Sequence, residues 1–296
     1  MTAQCLCLRD LGQEGIWRLL DAVRSQPEPS GALSGCRALC LTAHASPRTL
    51  EDRLSFAETL RTQGGMLREI APEEWLHSTD ALTLQTPLYA SCADVILAQE
   101  WEPRRLAAFA ANCPVPLLNM GNEAGHPALA LADLALMHQR TEDLSTLRIA
   151  WVGGLNGLGF SLMEAAMYVP FELFMALPEW SMPDRDLLDL ALRAGARIFL
   201  SREPHLVLDE ADVVYCGAGP RAEDGAPLRA SMRLAADALA LSCPGAEVLT
   251  AETLSPACRA DDRLLEAAMP VWTRRLRMRQ HMQALLLRTL LHPAAL

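Results

Sequence analysis

The chain contains no lysine; all 26 of its basic residues are arginine. Without a lysine amine, no Schiff base forms with a carbonyl substrate or with pyridoxal phosphate. That excludes PLP enzymes and class I aldolases. A Walker A nucleotide site is excluded for the same reason. Long apolar runs are missing too: none reaches the ~18 residues that a membrane span needs. The opening residues, MTAQCLCLRD, lack the basic start and apolar core of a signal peptide, so the expected location is the cytoplasm. Positive charge is in deficit, with a net charge of −10, which argues against nucleic acid as a partner. One basic run, RRLRMRQ at 274–280, falls within a helical pattern and reads as solvated or interface arginines. The nine cysteines are odd in number and scattered, which suits no disulfide framework. Cys5 and Cys7 form a CxC pair without matching metal-ligand partners, and they read as strand or core packing. No metal and no cofactor is expected.

What is present is alternation. At 296 residues the chain is about twice a typical domain, so two domains are expected. Short apolar runs at 37–42, 66–70, 94–98, 115–119, 148–152, 171–176, 196–200 and 212–216 read as strands. Helical patterns cover 11–24, 48–63, 102–112, 127–140, 158–168, 184–194 and 229–240, and a long final helix covers 272–291. Strand and helix in turn predict an α/β protein with two domains, each a mainly parallel sheet flanked by helices. The polar stretch HQRTEDLSTL, 138–147, is the expected boundary. It divides an N-terminal domain, 1–142 joined by the helix 272–296, from a second domain, 143–271. The stretch QPEPSGALSG, 26–35, reads as a surface loop.

Three stretches can carry chemistry. In HASPRTLEDRLSF, 44–56, Ser46 caps a helix and Pro47 suits its first position. A helix N-terminus favours anions, and Arg48 and Thr49 add a charged fork and a hydroxyl; an ordinary capped helix has the same look. In VPLLNMGNEAGHPALALADL, 115–134, a strand runs into a Gly/Asn loop and His126-Pro127 opens a helix. That places His126 at the C-terminal edge of a parallel sheet, where α/β sites form and where an imidazole can donate to a developing oxyanion. A histidine that merely sits near a helix cap is the plainer alternative. In RIAWVGGLNGLGFSL, 148–162, strand, glycine turn and helix follow one another, but glycines 153, 154, 157 and 159 do not match GxGxxG.

Together, in this order, these stretches resemble the aspartate and ornithine transcarbamylases over nearly the whole chain. LCLRDL, 6–11, is similar to the family's opening step and SPRT, 46–49, to its STRTR phosphate loop. NEAGHPALALADL, 122–134, is similar to its HPxQ segment and following helix. IAWVGGLNGLGFSL, 149–162, resembles the VGDxNNVxxSL turn of the ornithine branch. ADVVYCG, 211–217, and QALLLRTLL, 283–291, resemble a later strand and the returning final helix. The resemblance implies the transcarbamylase fold, with a carbamoyl-phosphate domain, an amino-acid domain and a site at a subunit edge of a homotrimer. It implies catalytic roles for His126 and Arg48. Carbamoyl phosphate would be held by Ser46, Arg48, Thr49, Arg53 and His126, and the amino acid by Asn156 and Ser161. The reaction so implied passes a carbamoyl or related acyl group from an acyl phosphate to the amine of a small molecule.

The departures from that pattern are as specific as the matches. The family's serine–phenylalanine pair comes three residues late, as Ser55-Phe56, so LED at 50–52 reads as an insertion in the helix start and Arg53 as the stand-in for the second loop arginine. An expected Arg is Gln99, the Gln of HPxQ is Leu129, and Gly154 and Gly157 replace an Asp and an Asn. The substrate loop reads GAGPRAEDG, the HCLP segment reads LSCPG at 241–245, and the lysine loop of the aspartate branch is absent. Two alternatives follow: a catalytically silent paralogue serving as a binding or assembly subunit and, on the glycine turn alone, a nicotinamide-dependent oxidoreductase.

Overall fold

A computed structural model describes residues 3–25, 31–44, 47–71, 79–217, 243, 245–251 and 262–292. The chain forms two compact units, one of Met1–Leu136 with Leu276–Leu296 and one of Met137–Arg275. The two crossings fall within helices. They lie a few residues from the expected limits at 142 and 272, because a helix carries the chain across at each point.

The first unit contains β1 (Gln4–Cys5), α1 (Gly12–Ser25), β2 (Arg37–Thr42), α2 (Pro47–Thr62), β3 (Met66–Ile70), α3 (Thr79–Cys92), β4 (Val95–Gln99), α4 (Pro103–Ala110), β5 (Leu117–Gly121) and α5 (Pro127–His138), which runs on into the second unit. Its sheet has the order β1-β5-β4-β2-β3, with every pair parallel. β4 and β5 are buried from end to end and β2 from its second residue on, as central parallel strands covered on both faces must be. The edge strand β3 is only partly covered. Trp101 packs on Phe109 with ring centroids 5.1 Å apart and donates its indole N–H to the Leu41 carbonyl.

The second unit contains β6 (Arg148–Val152), α6 (Gly157–Ala165), β7 (Glu172–Ala176), α7 (Arg185–Arg193), β8 (Arg197–Ser201), α8 (His205–Leu208), β9 (Val213–Cys216) and β10 (Glu247–Thr250). Its sheet, also parallel throughout, has the order β10-β9-β6-β7-β8. The helix α9 (Asp262–Leu291) leads back to the first unit. Glu247, almost fully buried, takes ion pairs from Arg140 and Arg274.

Several expectations change. α9 starts ten residues before the expected 272, because its first turns carry acidic and basic residues that blur the apolar period. β1 lies just before the opening step that the resemblance placed at 6–11, and β10 has no counterpart among the expected strands; the first has two residues and the second opens on a glutamate, both below a strand signal. α3 was hidden by Pro87, which lies inside it. The basic run 274–280 is not uniformly solvated: Arg275 and Arg279 are buried, and each is held by acceptors of its own unit. The helix expected at 229–240 lies outside the described residues, as does most of the loop beginning at Gly217. Cys5 is buried on β1, in line with a packing role.

Candidate functional site

In the first unit the C-terminal ends of β2, β4 and β5 bring Thr42, Gln99 and Gly121 to one sheet edge. The chain leaves that edge irregularly. The register shifts between Ala98 and Gln99, and Glu100 takes a left-handed φ of 58° while its N–H bonds the Gly121 carbonyl. A non-glycine residue keeps this conformation only where its surroundings hold it there.

Beyond β5 two asparagines build the loop that presents His126. Asn119 donates from Nδ2 to the carbonyls of Leu6 and Gly125, and its Oδ1 accepts the Gly121 N–H. Asn122 accepts the N–H groups of Ala124 and Gly125. Gly121 has a φ of 142°, and a Cβ placed there would stand 2.8 Å from the imidazole Cδ2 of His126. Only glycine fits a backbone this close to the ring. The Leu129 N–H lies 3.4 Å from His126 Nδ1, so the hydrogen-bond network assigns the proton to Nε2. Nε2–H then donates to Asp52 Oδ1 at 3.0 Å.

Asp52 comes from α2, which buries a polar stripe beside its apolar residues. Thr49, Asp52, Ser55, Thr59 and Gln63 are buried together with Phe56 and Leu60, whereas Leu50 and Leu54 are 39% and 60% exposed. The stripe from Thr49 to Thr59 is satisfied by α9 and by the sheet edge, and Gln63, just past the helix, accepts the Ala32 N–H. Ser55 and Thr59 both donate to Gln283 Oε1 at 2.9 Å. Gln99 Nε2 donates to the Thr49 carbonyl at 3.0 Å and lies 3.4 Å from Asp52 Oδ2, while Thr42 Oγ1 reaches Gln99 Oε1 at 3.5 Å. Arg279 forms ion pairs with Glu51, at 3.0 Å, and with Asp52. Burial pulls the Arg279 guanidinium below its ordinary pKa and Glu51 opposes this; the side chain, 4% exposed, stays charged in its carboxylate cage.

Of the residues expected here, Thr49 and His126 fall in this cluster. Ser46 lies outside the described residues, and Arg48 is described only as a helical residue of α2. Arg53 points elsewhere: its guanidinium pairs with Glu69 of β3 at 2.8 Å. The residues LED, read as an insertion, are most of one helical turn, so α2 runs on unbroken and carries Glu51 and Asp52 towards α9. Sequence reasoning missed Asp52, Glu51 and Arg279 as members of the cluster. The only signal was the odd acidic pair inside the helix start.

The second unit uses its glycine turn for packing. Asn156 caps α6, its Oδ1 accepting the N–H groups of Leu158 and Gly159, and it donates weakly to the Ala251 carbonyl. Ser161 is fully buried on the same helix. Gly153, at φ 123°, lies against the Gly217 backbone, and Gly159 lies against Leu155 and the Trp151 ring. Trp151 stacks on Tyr215 and donates to the Gly154 carbonyl. The glycines thus make room for an indole and for neighbouring backbone. A Cβ at Gly217 would stand 2.6 Å from the Trp151 indole nitrogen and 2.7 Å from the Gly154 carbonyl oxygen. Gly217→Ala is therefore expected to cost about 1–3 kcal/mol by overpacking, read as a lower urea midpoint. Among the described residues no group of three or more His, Cys, Asp or Glu side chains is placed to hold a metal.

Comparison with known proteins fits this architecture. The chain is 37% identical over 211 residues to an ornithine carbamoyltransferase of Nitratidesulfovibrio vulgaris, covering 70% of this chain and 69% of that protein. It is 33% identical over 218 residues to the ornithine carbamoyltransferase of Oleidesulfovibrio alaskensis, covering 72% of each. Among solved structures, the ornithine carbamoyltransferase of Pyrococcus furiosus superposes with a TM-score of 0.84 at 20% identity, over 100% of this chain and 99% of that one. No family model matches the chain. On the sequence relatives, with the fold agreeing, the chain belongs to the aspartate and ornithine carbamoyltransferase family.

Proposed function

We propose that the protein is a carbamoyltransferase: it moves a carbamoyl (or related acyl) group from an acyl phosphate to the amine of an amino acid or similar small molecule. The amine nitrogen attacks the carbonyl carbon, the bond from that carbon to the phosphate oxygen breaks, phosphate departs, and the amine releases a proton. The observation that carries the reading is the placement of His126. Its ring is held against Gly121 at the C-terminal sheet edge and its Nε2–H is directed at α2. A fixed donor of this kind stabilises the negative charge that grows on an attacked carbonyl oxygen. Family membership supports the same chemistry. Arg48 and Ser46 would add phosphate donors at the start of α2, with Asn156 and Ser161 on the amino-acid side. A homotrimer in the cytoplasm completes the reading; the bare leucines of α2 support a subunit contact, and no helix among the described residues is long and apolar enough to cross a membrane.

One observation favours the second reading, a silent paralogue that binds or assembles without turnover. The proton of His126 is already given to Asp52, an acceptor supplied by the chain itself. Calorimetric titration with carbamoyl phosphate, followed by a phosphate-release assay with ornithine and other amines, separates the two. The transferase reading expects binding that weakens at least tenfold in Arg48→Ala, together with amine-dependent phosphate release. Binding without phosphate release selects the silent paralogue, and no binding at millimolar carbamoyl phosphate removes that donor and leaves the silent paralogue or a different acyl phosphate.

A further inference from the structure

We infer that Asp52 is a built-in competitor for the acyl phosphate: its carboxylate occupies the donor set that an anionic substrate must use, and it sets how weakly this site takes anions. This rests on the transferase reading for the identity of the substrate, and on geometry for the rest. Three donors from three separate elements converge on one carboxylate. His126 Nε2 meets Oδ1 at 3.0 Å, Gln99 Nε2 lies 3.4 Å from Oδ2, and Arg279 pairs with the same group. An imidazole N–H, an amide N–H and a guanidinium around two oxygens form a recognition set for a carboxylate or a phosphate. The side chains of Asp52 and His126 are only 11% and 12% exposed, so the pair is shielded from bulk water and its charges are poorly screened. Within the described cluster Glu51 and Asp52 bring two negative charges and Arg279 one positive charge. An incoming dianion must therefore displace one carboxylate and approach another.

The test compares wild type, Asp52→Asn and Glu51→Gln by calorimetric titration with inorganic phosphate and with carbamoyl phosphate at fixed pH and salt. Asn keeps the shape of Asp52 and removes its charge. Glu51 carries the same charge and meets the same arginine, so Glu51→Gln reports the general electrostatic effect. Asp52→Asn is expected to bind both anions at least tenfold tighter than wild type, and Glu51→Gln no more than about threefold. A folded Asp52→Asn protein that binds no tighter than Glu51→Gln overturns the assignment.

If Asp52→Asn does not fold, wild type supplies the measurement. Saturating phosphate is expected to shift the His126 ring ¹⁵N resonances as the bond to Asp52 is exchanged for a bond to the ligand. Binding by calorimetry without that shift overturns the assignment. Failure of the transferase reading looks different: affinity rises in Asp52→Asn, yet neither protein releases phosphate in the presence of amines. Normal amine-dependent turnover without a gain in affinity keeps the reaction and removes Asp52 as the competitor.

Discussion

Arg279→Leu is expected to lose about 3–5 kcal/mol of stability, the size seen when one partner of a buried charge set is removed. Arg279 is the only cation that the structure pairs with Glu51 and Asp52 in the described cluster, and its side chain is 4% exposed. Deleting it leaves two neighbouring carboxylates in a poorly hydrated site. Their mutual repulsion and lost solvation fall on the folded state alone, because both groups are hydrated in the unfolded chain. Urea unfolding followed by circular dichroism measures the loss. The triple variant Glu51→Gln, Asp52→Asn, Arg279→Leu is the decisive companion. With no charge left to strand, it is expected to recover most of the midpoint, since a buried ion-pair set is often replaced by neutral groups at little cost. If the triple variant stays as unstable as the single one, Arg279 contributes through packing of its aliphatic stem, and the charge argument is wrong.

That network also shows where sequence reading stops. β2, β3 and β6 have the very limits the pattern predicted, because each is a short run bounded by turn or charge signals; β2 and β6 are buried over nearly their whole length, and β3 is the partly covered edge. His126 was legible for a similar reason: His-Pro after a Gly/Asn loop marks a helix start at a sheet edge. α2 was legible as a helix but not in orientation. Leu50 and Leu54 are exposed while Asp52, Ser55 and Thr59 are buried beside Phe56 and Leu60. Nothing local specifies that choice. It is specified by Gln283 and Arg279, more than two hundred residues downstream, which supply the hydrogen-bond and charge partners that make a buried polar stripe tolerable. Glu51 and Asp52, two of the three residues read as an insertion, join α2 to α9 through Arg279, and Arg53, one position on, is rotated about 100° away to meet Glu69.

The same sheet edge carries the sharpest expected effect on activity. Gly121→Ala is expected to lower amine-dependent phosphate release by roughly 10²–10³-fold, the range for loss of one oxyanion donor. Two effects combine. At φ 142° an L side chain is strained, at a cost of about 1–3 kcal/mol. The new Cβ would also stand 2.8 Å from Cδ2 and 3.0 Å from Nε2 of His126, so the ring must move or the loop must shift. Gly195→Ala separates strain from displacement. Gly195 also has positive φ, at 90°, but a Cβ there meets nothing within 4 Å. It is expected to lose stability and keep the rate. Gly121→Ala is expected to lose both and to show altered His126 ring resonances even without substrate. If the ring resonances are unchanged and the rate survives, His126 is not held by Gly121, and the close approach at the end of β5 has no part in aiming the imidazole.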